Sequence, residues 1–273
     1  MYKLIALDMD GTLLNSDKKI SKITQQSLEL AQNSGKICVL ATGRCLSELT
    51  PYKKELVNIQ YGICESGSLI YDFYNDKIIS KRGIISPEIT SKIIDAVSNE
   101  DVMIQVMRDG ISKVNEHQIP LMKKYQMGQY ESLYKETSEK VKDIIKVIKD
   151  EKIGFEKINI YHTSANSREK TFKQLSKLPV QLAFAQETSL EISPKNISKA
   201  TGLKELCSFL NLQLKETIAV GDADNDLPIL SIVGLSVAVG NANDTVKQKC
   251  DLIVSDNDHN GCSEVIYSYL LKL

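Results

Sequence analysis

Residues 4–12 read Leu4-Ile5-Ala6-Leu7-Asp8-Met9-Asp10-Gly11-Thr12, so four apolar residues run straight into two carboxylates and a glycine. A continuous apolar run, as opposed to an alternating one, marks a strand buried on both faces, the situation in a parallel sheet. The same arrangement recurs along the chain. Ile37–Ala41 leads into Thr42-Gly43-Arg44, 217–220 into Gly221-Asp222 with Asn225-Asp226 just beyond, and 235–239 into Gly240-Asn241. A fifth run covers 252–254. Helical patterns separate these runs. Ser21 can cap a helix carrying Ile23, Leu28, Leu30 and Ala31, which Gly35 ends. A second helix begins near Ser198 and carries Leu203, Leu206, Phe209 and Leu210. A third starts at Asp224, with Pro228 early enough to be tolerated. Strand and helix alternating in this way predict an α/β fold with a doubly wound parallel-sheet (Rossmann-like) core.

The middle of the chain has another rhythm. An amphipathic helix follows Pro87, and a strand is predicted over 101–107. Val141, Ile144, Ile145 and Ile148 share one helical face. Strands at 157–161, 180–185 and 190–193 flank a polar helix over 168–178, while 115–129 and 162–168 read as loops. The pattern predicts an inserted α+β domain at 83–187 and a discontinuous core made of 1–82 and 188–273.

Composition narrows the function classes. The 273 residues suit a core with one insert, and 34 Lys plus Arg against 35 Asp plus Glu leave a formal net charge of −1. That balance speaks against a nucleic-acid binder, which needs surplus cations to neutralise phosphates. No apolar stretch reaches the roughly 20 residues of a membrane helix. The N-terminal run is cut short by acids and lacks a signal-peptide cleavage site, so the expected compartment is the cytoplasm. Cysteines 38, 45, 64, 207, 250 and 262 have no C-x-x-C spacing and read as small buried apolar residues. His117, His162 and His259 show no metal-ligand spacing. The composition sets no oligomeric state.

Ligands of open α/β sheets bind outside the carboxyl ends of the strands. Here four strands deliver acids, a hydroxyl and amides to that one edge. Asp-Gly after an apolar run is by itself an ordinary turn, and Thr42-Gly43 or Gly221-Asp222 alone could be helix starts. Two acids at i and i+2 repel each other unless a cation joins them. Three carboxylates gathered at a strand edge describe a hard-cation site, which suits Mg²⁺.

Taken in order and spacing, DMDGT (8–12), ATGR (41–44), the lysine of NISKA (196–200) and GDADND (221–226) resemble the four motifs of the haloacid dehalogenase-like hydrolases. The insert between the second and third motifs resembles the cap of the Cof-type phosphatases. The resemblance covers essentially the whole chain, including VAVGNANDTVK and SDNDHNG towards its end. It implies a Mg²⁺-dependent phosphatase acting on small phosphorylated metabolites through an aspartyl-phosphate. On that pattern Asp8 is the nucleophile and a metal ligand. Asp10 is the general acid and then base, its backbone carbonyl also reaching the metal. The Met9 backbone, the Thr42 hydroxyl, the Gly43 amide, Lys199 and Asn225 hold phosphate oxygens. Asp222 completes the metal site, and Asp226 orients Lys199 or a water at the metal. Arg44 and Asn241 follow strand ends without an assigned role. Ser66 stands where the family more often has Asn, and Ala200 where Gly is frequent. A phosphomutase or phosphotransferase would share all four motifs; a sensor that binds without turnover would not need the Asp8–Asp10 pair.

Overall fold

The computed structural model describes residues 1–273, the side chain of Glu151 excepted. Two compact units emerge. The first comprises Met1–Gly43, Tyr52–Lys81 and Ser198–Leu273; the second comprises Arg44–Pro51 and Arg82–Ile197. The chain opens with strands β1 (Leu4–Leu7), β2 (Ile37–Ala41) and β3 (Tyr61–Cys64), then turns back through β4 (Leu69–Asp72) and β5 (Lys77–Lys81). The second unit carries β6 (Val102–Arg108), β7 (Ile111–Asn115), β8 (Glu139–Val141), β9 (Lys157–His162), β10 (Val180–Gln186) and β11 (Ser189–Pro194). The chain then rejoins the first unit with β12 (Thr217–Gly221), β13 (Leu235–Ala238) and β14 (Leu252–Ile253).

In the first unit these strands form an eight-stranded sheet in the order β14-β13-β12-β1-β2-β3-β4-β5. The six from β14 to β3 run parallel, and all five expected apolar runs lie among them. β1 is buried along its whole length, as a central strand covered on both faces must be. The strand order reverses beside β1, where β2 leaves on one side and β12 returns on the other. β4 and β5 are antiparallel additions that the apolar pattern did not reveal. Only residues 65–68 join β3 to β4, too few for the crossover a parallel strand requires. Ser21 caps the helix Lys22–Asn33 by accepting from the Thr24 amide at 3.1 Å. Ser198 caps Lys199–Phe209 in a reciprocal bond pair with Thr201. The segment expected to start a helix at Asp224 makes one 3₁₀ turn, Asp224–Asp226, before the α-helical Leu227–Leu230.

The second unit is a six-stranded sheet, β10-β11-β9-β6-β7-β8, antiparallel except for the β7–β8 pair. One face buries Ile104, Val106, Ile158, Ile160, Leu190 and Ile192 against Ile93, Ile94, Ile144, Ile148 and Leu175. Each such side chain removed from water stabilises the fold by about 1.5–3 kcal/mol before entropy is counted. Several expectations need correction here. Val141 ends β8; the helix begins only at Ile144, because Asp143 caps it through the Lys146 amide. The polar helix starts at Ala165 after the cap Ser164, and His162 belongs to β9, not to a loop. Residues expected to be loop form the 3₁₀ helix Glu116–Tyr125, which buries Ile119, Met122 and Tyr125. A break after residue 187 would cut the β10–β11 hairpin, and this pairing takes the unit on to Ile197. The helix Leu46–Leu49 also belongs to this unit: Ser47 N donates to Gly110 O at 2.9 Å, and Gln105 Nε2 to Glu48 Oε1 at 2.6 Å. Among the described residues no helix is long and apolar enough to cross a membrane. Among the described residues no cysteine is in a disulfide, and all six but Cys250 are buried.

His162 makes the second unit acid-sensitive. Its ring is fully buried, with Nδ1 3.2 Å from Thr188 O and Nε2 2.9 Å from Thr171 Oγ1. A carbonyl only accepts, so Nδ1 carries the proton and Nε2 accepts from the threonine hydroxyl. Burial holds the imidazole pKa below its ordinary 6.5. In acid the unfolded chain therefore binds the extra proton, and the stability due to this group, complete above about pH 6.5, is lost as pH falls below it. We expect the unfolding midpoint to fall between about pH 7.5 and pH 5.5, with a smaller fall in His162→Gln. Equal pH slopes in thermal melts of the two proteins would remove His162 from this role.

Candidate active site

The site lies in the first unit, at the carboxyl ends of β1, β2 and β12, where the strand order reverses. Asp8 follows β1 directly, and its amide still donates to Val220 O at 3.0 Å, so strand pairing fixes the backbone beneath the carboxylate. The chain then turns tightly: Leu13 N donates to Asp8 O and Leu14 N to Met9 O. Gly11 makes the turn possible, with φ at +84° and no room for a side chain; a Cβ there would stand 2.6 Å from Asp222 Oδ2. Beyond β12 the chain again comes too close for a side chain, since a Cβ on Gly221 would meet Asp226 Cγ at 2.6 Å. That proximity lets Asp226 Oδ2 accept from the amides of Asp222 and Ala223 at 3.1 and 3.3 Å.

Lys199 is the first residue of its helix and only 1% exposed. Its ammonium donates to Asp8 Oδ1 at 2.5 Å and to Asp226 Oδ1 at 2.7 Å. Burial on its own would depress the lysine pKa, but Asp226 and Asp8 more than offset it and hold the group charged. Asp222 accepts from Thr12 Oγ1 at 2.9 Å. One oxygen from each of Asp8, Asp222 and Asp226 lies within 4.8 Å of the others. Three acids thus share one lysine. Burial, reinforced by Asp226 and Asp222, pushes the Asp8 carboxyl well above its ordinary range against the pull of Lys199. Burial and Asp226 likewise push Asp222 up to about 7, opposed by Thr12 and Lys199. Buried oxygen donors with surplus negative charge fit a hard divalent cation.

The other residues singled out in the sequence stand around this cluster. Met9 is buried, its carbonyl engaged by Leu14. Asp10 Oδ1 lies 3.7 Å from Lys18 Nζ. Thr42 and Gly43 follow β2, whose Leu40 pairs with Leu7 of β1, and the backbone of Thr42 is held by Ile63 O and Ser66 N. Asn225 Oδ1 is buried with no hydrogen-bond partner, a polar atom still owed a donor. Sequence reasoning missed Thr12 as the partner of Asp222 and Lys18 as the partner of Asp10. The DMDGT motif contains Thr12, but only the fold brings it to a residue 210 positions away.

Comparison with known proteins places this geometry in context. A family model described as haloacid dehalogenase-like hydrolase matches residues 5–266. "Phosphatase YwpJ" of Bacillus subtilis is 28% identical, over 97% of this chain and 98% of its own. The B. subtilis "5-amino-6-(5-phospho-D-ribitylamino)uracil phosphatase YcsE" is 27% identical, over 98% and 96%. A solved haloacid dehalogenase-like hydrolase from B. subtilis superposes with a TM-score of 0.87 at 25% identity, covering 97% of this chain and 98% of that one.

Proposed function

The chain belongs to the haloacid dehalogenase-like hydrolase family, and from that premise we propose a cytoplasmic, Mg²⁺-dependent phosphatase of small phosphorylated metabolites that works through Asp8. The observation that carries this reading is the buried Asp8–Lys199–Asp226 contact with Asp222 beside it. Both curated relatives described above are named phosphatases, which supports the reaction class.

An Asp8 carboxylate oxygen attacks phosphorus in line as the bond to the leaving oxygen breaks, and Asp10 gives that oxygen its proton. Asp10 then takes a proton from water, which attacks the phosphorus of the aspartyl-phosphate and restores Asp8. Lys199, anchored on Asp226, keeps a positive charge against Asp8 and the phosphoryl oxygens. Thr42, the Gly43 and Met9 backbone and Asn225 orient the phosphate. Asp8, Asp222 and the Asp10 carbonyl would hold Mg²⁺, with Asp226 close by; the ion would neutralise charge on the transferring group.

The test is phosphate release from a panel of phosphorylated metabolites, sugar phosphates included. We expect turnover of several small monoesters with Mg²⁺ and none in EDTA. A panel without turnover, or activity indifferent to metal removal, would overturn the proposal.

A further inference from the structure

We infer that Asn241 is a positioning residue for Asp10, acting through the backbone of Gly11; this rests on the reading of Asp10 as the acid that protonates the leaving oxygen. The Asp10 side chain is 26% exposed, and its Oδ1 lies 3.7 Å from Lys18 Nζ. The direction in which that side chain points is set first by the backbone that carries it. That backbone has a weak point directly after it: Gly11, which must be glycine, is the residue type with the most conformational freedom. Asn241 takes up the slack. Its Nδ2 donates to Gly11 O at 2.7 Å, and its Oδ1 accepts from Asn257 N at 3.1 Å.

The same loop secures the far side of the turn. Asn257 Nδ2 donates to Leu14 O at 2.9 Å, and the Asp258 carboxylate accepts from Ser16 N and Oγ at 2.8 and 2.6 Å. Asp10 itself bridges to Leu14. The carbonyls on both sides of the turn are therefore held by residues more than 200 positions away in sequence. Asn241 is itself exposed, so its loss opens no cavity. What it removes is the hold on the Gly11–Thr12 peptide.

The discriminating measurement is kcat/KM, which reports steps through the first phosphoryl transfer. Wild type, Asp10→Asn, Asn241→Ala and the double variant are compared on two substrates with Mg²⁺. One is the most active alkyl monophosphate of the panel; the other is p-nitrophenyl phosphate, whose leaving group needs little protonation. Asp10→Asn should lose about 10²–10⁴-fold on the alkyl ester and far less on the aryl ester. Asn241→Ala should lose on the order of 10- to 100-fold on the alkyl ester and at least about fivefold less than that on the aryl ester, where only the hold of the Asp10 carbonyl on the metal is disturbed. The double variant should be no worse than Asp10→Asn. Equal losses by Asn241→Ala on both substrates, or a further loss in the Asp10→Asn background, would overturn the assignment alone and leave Asn241 a loop tie. An Asp10→Asn variant indifferent to the leaving group would remove the general-acid reading, and this assignment with it.

Discussion

Asp8→Asn is expected to lose at least about 10⁴-fold in phosphate release from any substrate, with its fold intact. The amide fills nearly the same volume but offers no anionic oxygen to phosphorus. Nothing that shapes the backbone changes, because the bonds Asp8 N to Val220 O and Leu13 N to Asp8 O are main-chain. The asparagine carbonyl can still accept from Lys199. The substitution also removes one of three negative charges gathered around one lysine, at a site where burial already penalises the charged carboxyl. In metal-free buffer the unfolding midpoint should therefore match or exceed that of wild type. Substantial turnover, once deamidation back to aspartate is excluded by mass, would eliminate covalent catalysis by this residue.

The parts of this site that could be read from sequence share one property: each follows an apolar run. Asp8, Thr42 and Asp222 come immediately after β1, β2 and β12, and a parallel sheet sends all such residues to one edge. Lys199 has no such marker. It starts a helix 191 residues from Asp8, and its place at the head of an apolar helix together with the motif resemblance set it apart from a surface lysine. Asp226 was expected to orient Lys199, but its place in the acidic trio depends on a 3₁₀ turn that spacing does not encode. Asn241 offered no more than a position after a strand, because its partners Gly11 and Asn257 are chosen by loop geometry. The fold behaved similarly. Central strands declared themselves by unbroken apolar runs, whereas Tyr61-Gly62-Ile63-Cys64 has neither a long run nor an alternation. Pro120 hid the helical turn over Glu116–Tyr125, since proline argues against a helix interior and a 3₁₀ segment tolerates it.

Lys199→Met should be costly twice over, in stability and in rate. Methionine keeps most of the buried stem but deletes the ammonium that joins Asp8 to Asp226. Breaking a buried ion pair from one side leaves uncompensated charge and costs about 3–5 kcal/mol, on the order of 10 °C in the midpoint of a chain this size. The carboxylates can escape by taking up a proton, and this fixes the sign of the pH effect. Asp8 and Asp222 already have folded pKa values raised by burial, Asp222 to about 7, and without Lys199 they rise further. A raised carboxyl pKa makes the folded state the greater proton binder, so its stabilisation is complete in acid and lost as pH rises through the folded value. The deficit of Lys199→Met against wild type, measured without metal, should thus be large near pH 8 and shrink towards pH 5. With Mg²⁺ present, kcat/KM should fall on the order of 10²–10³-fold, because a preorganised donor to the phosphoryl group and its nucleophile is gone. That loss should be alike for alkyl and aryl phosphates, since in the proposed mechanism Lys199 serves the transferring group and not the leaving oxygen. Lys199→Arg should not rescue it: a planar fork cannot occupy a space shaped for a point charge between two carboxylates. Wild-type melting together with wild-type kcat/KM in Lys199→Met would show that the Asp8–Lys199–Asp226 bridge carries neither the fold nor the chemistry.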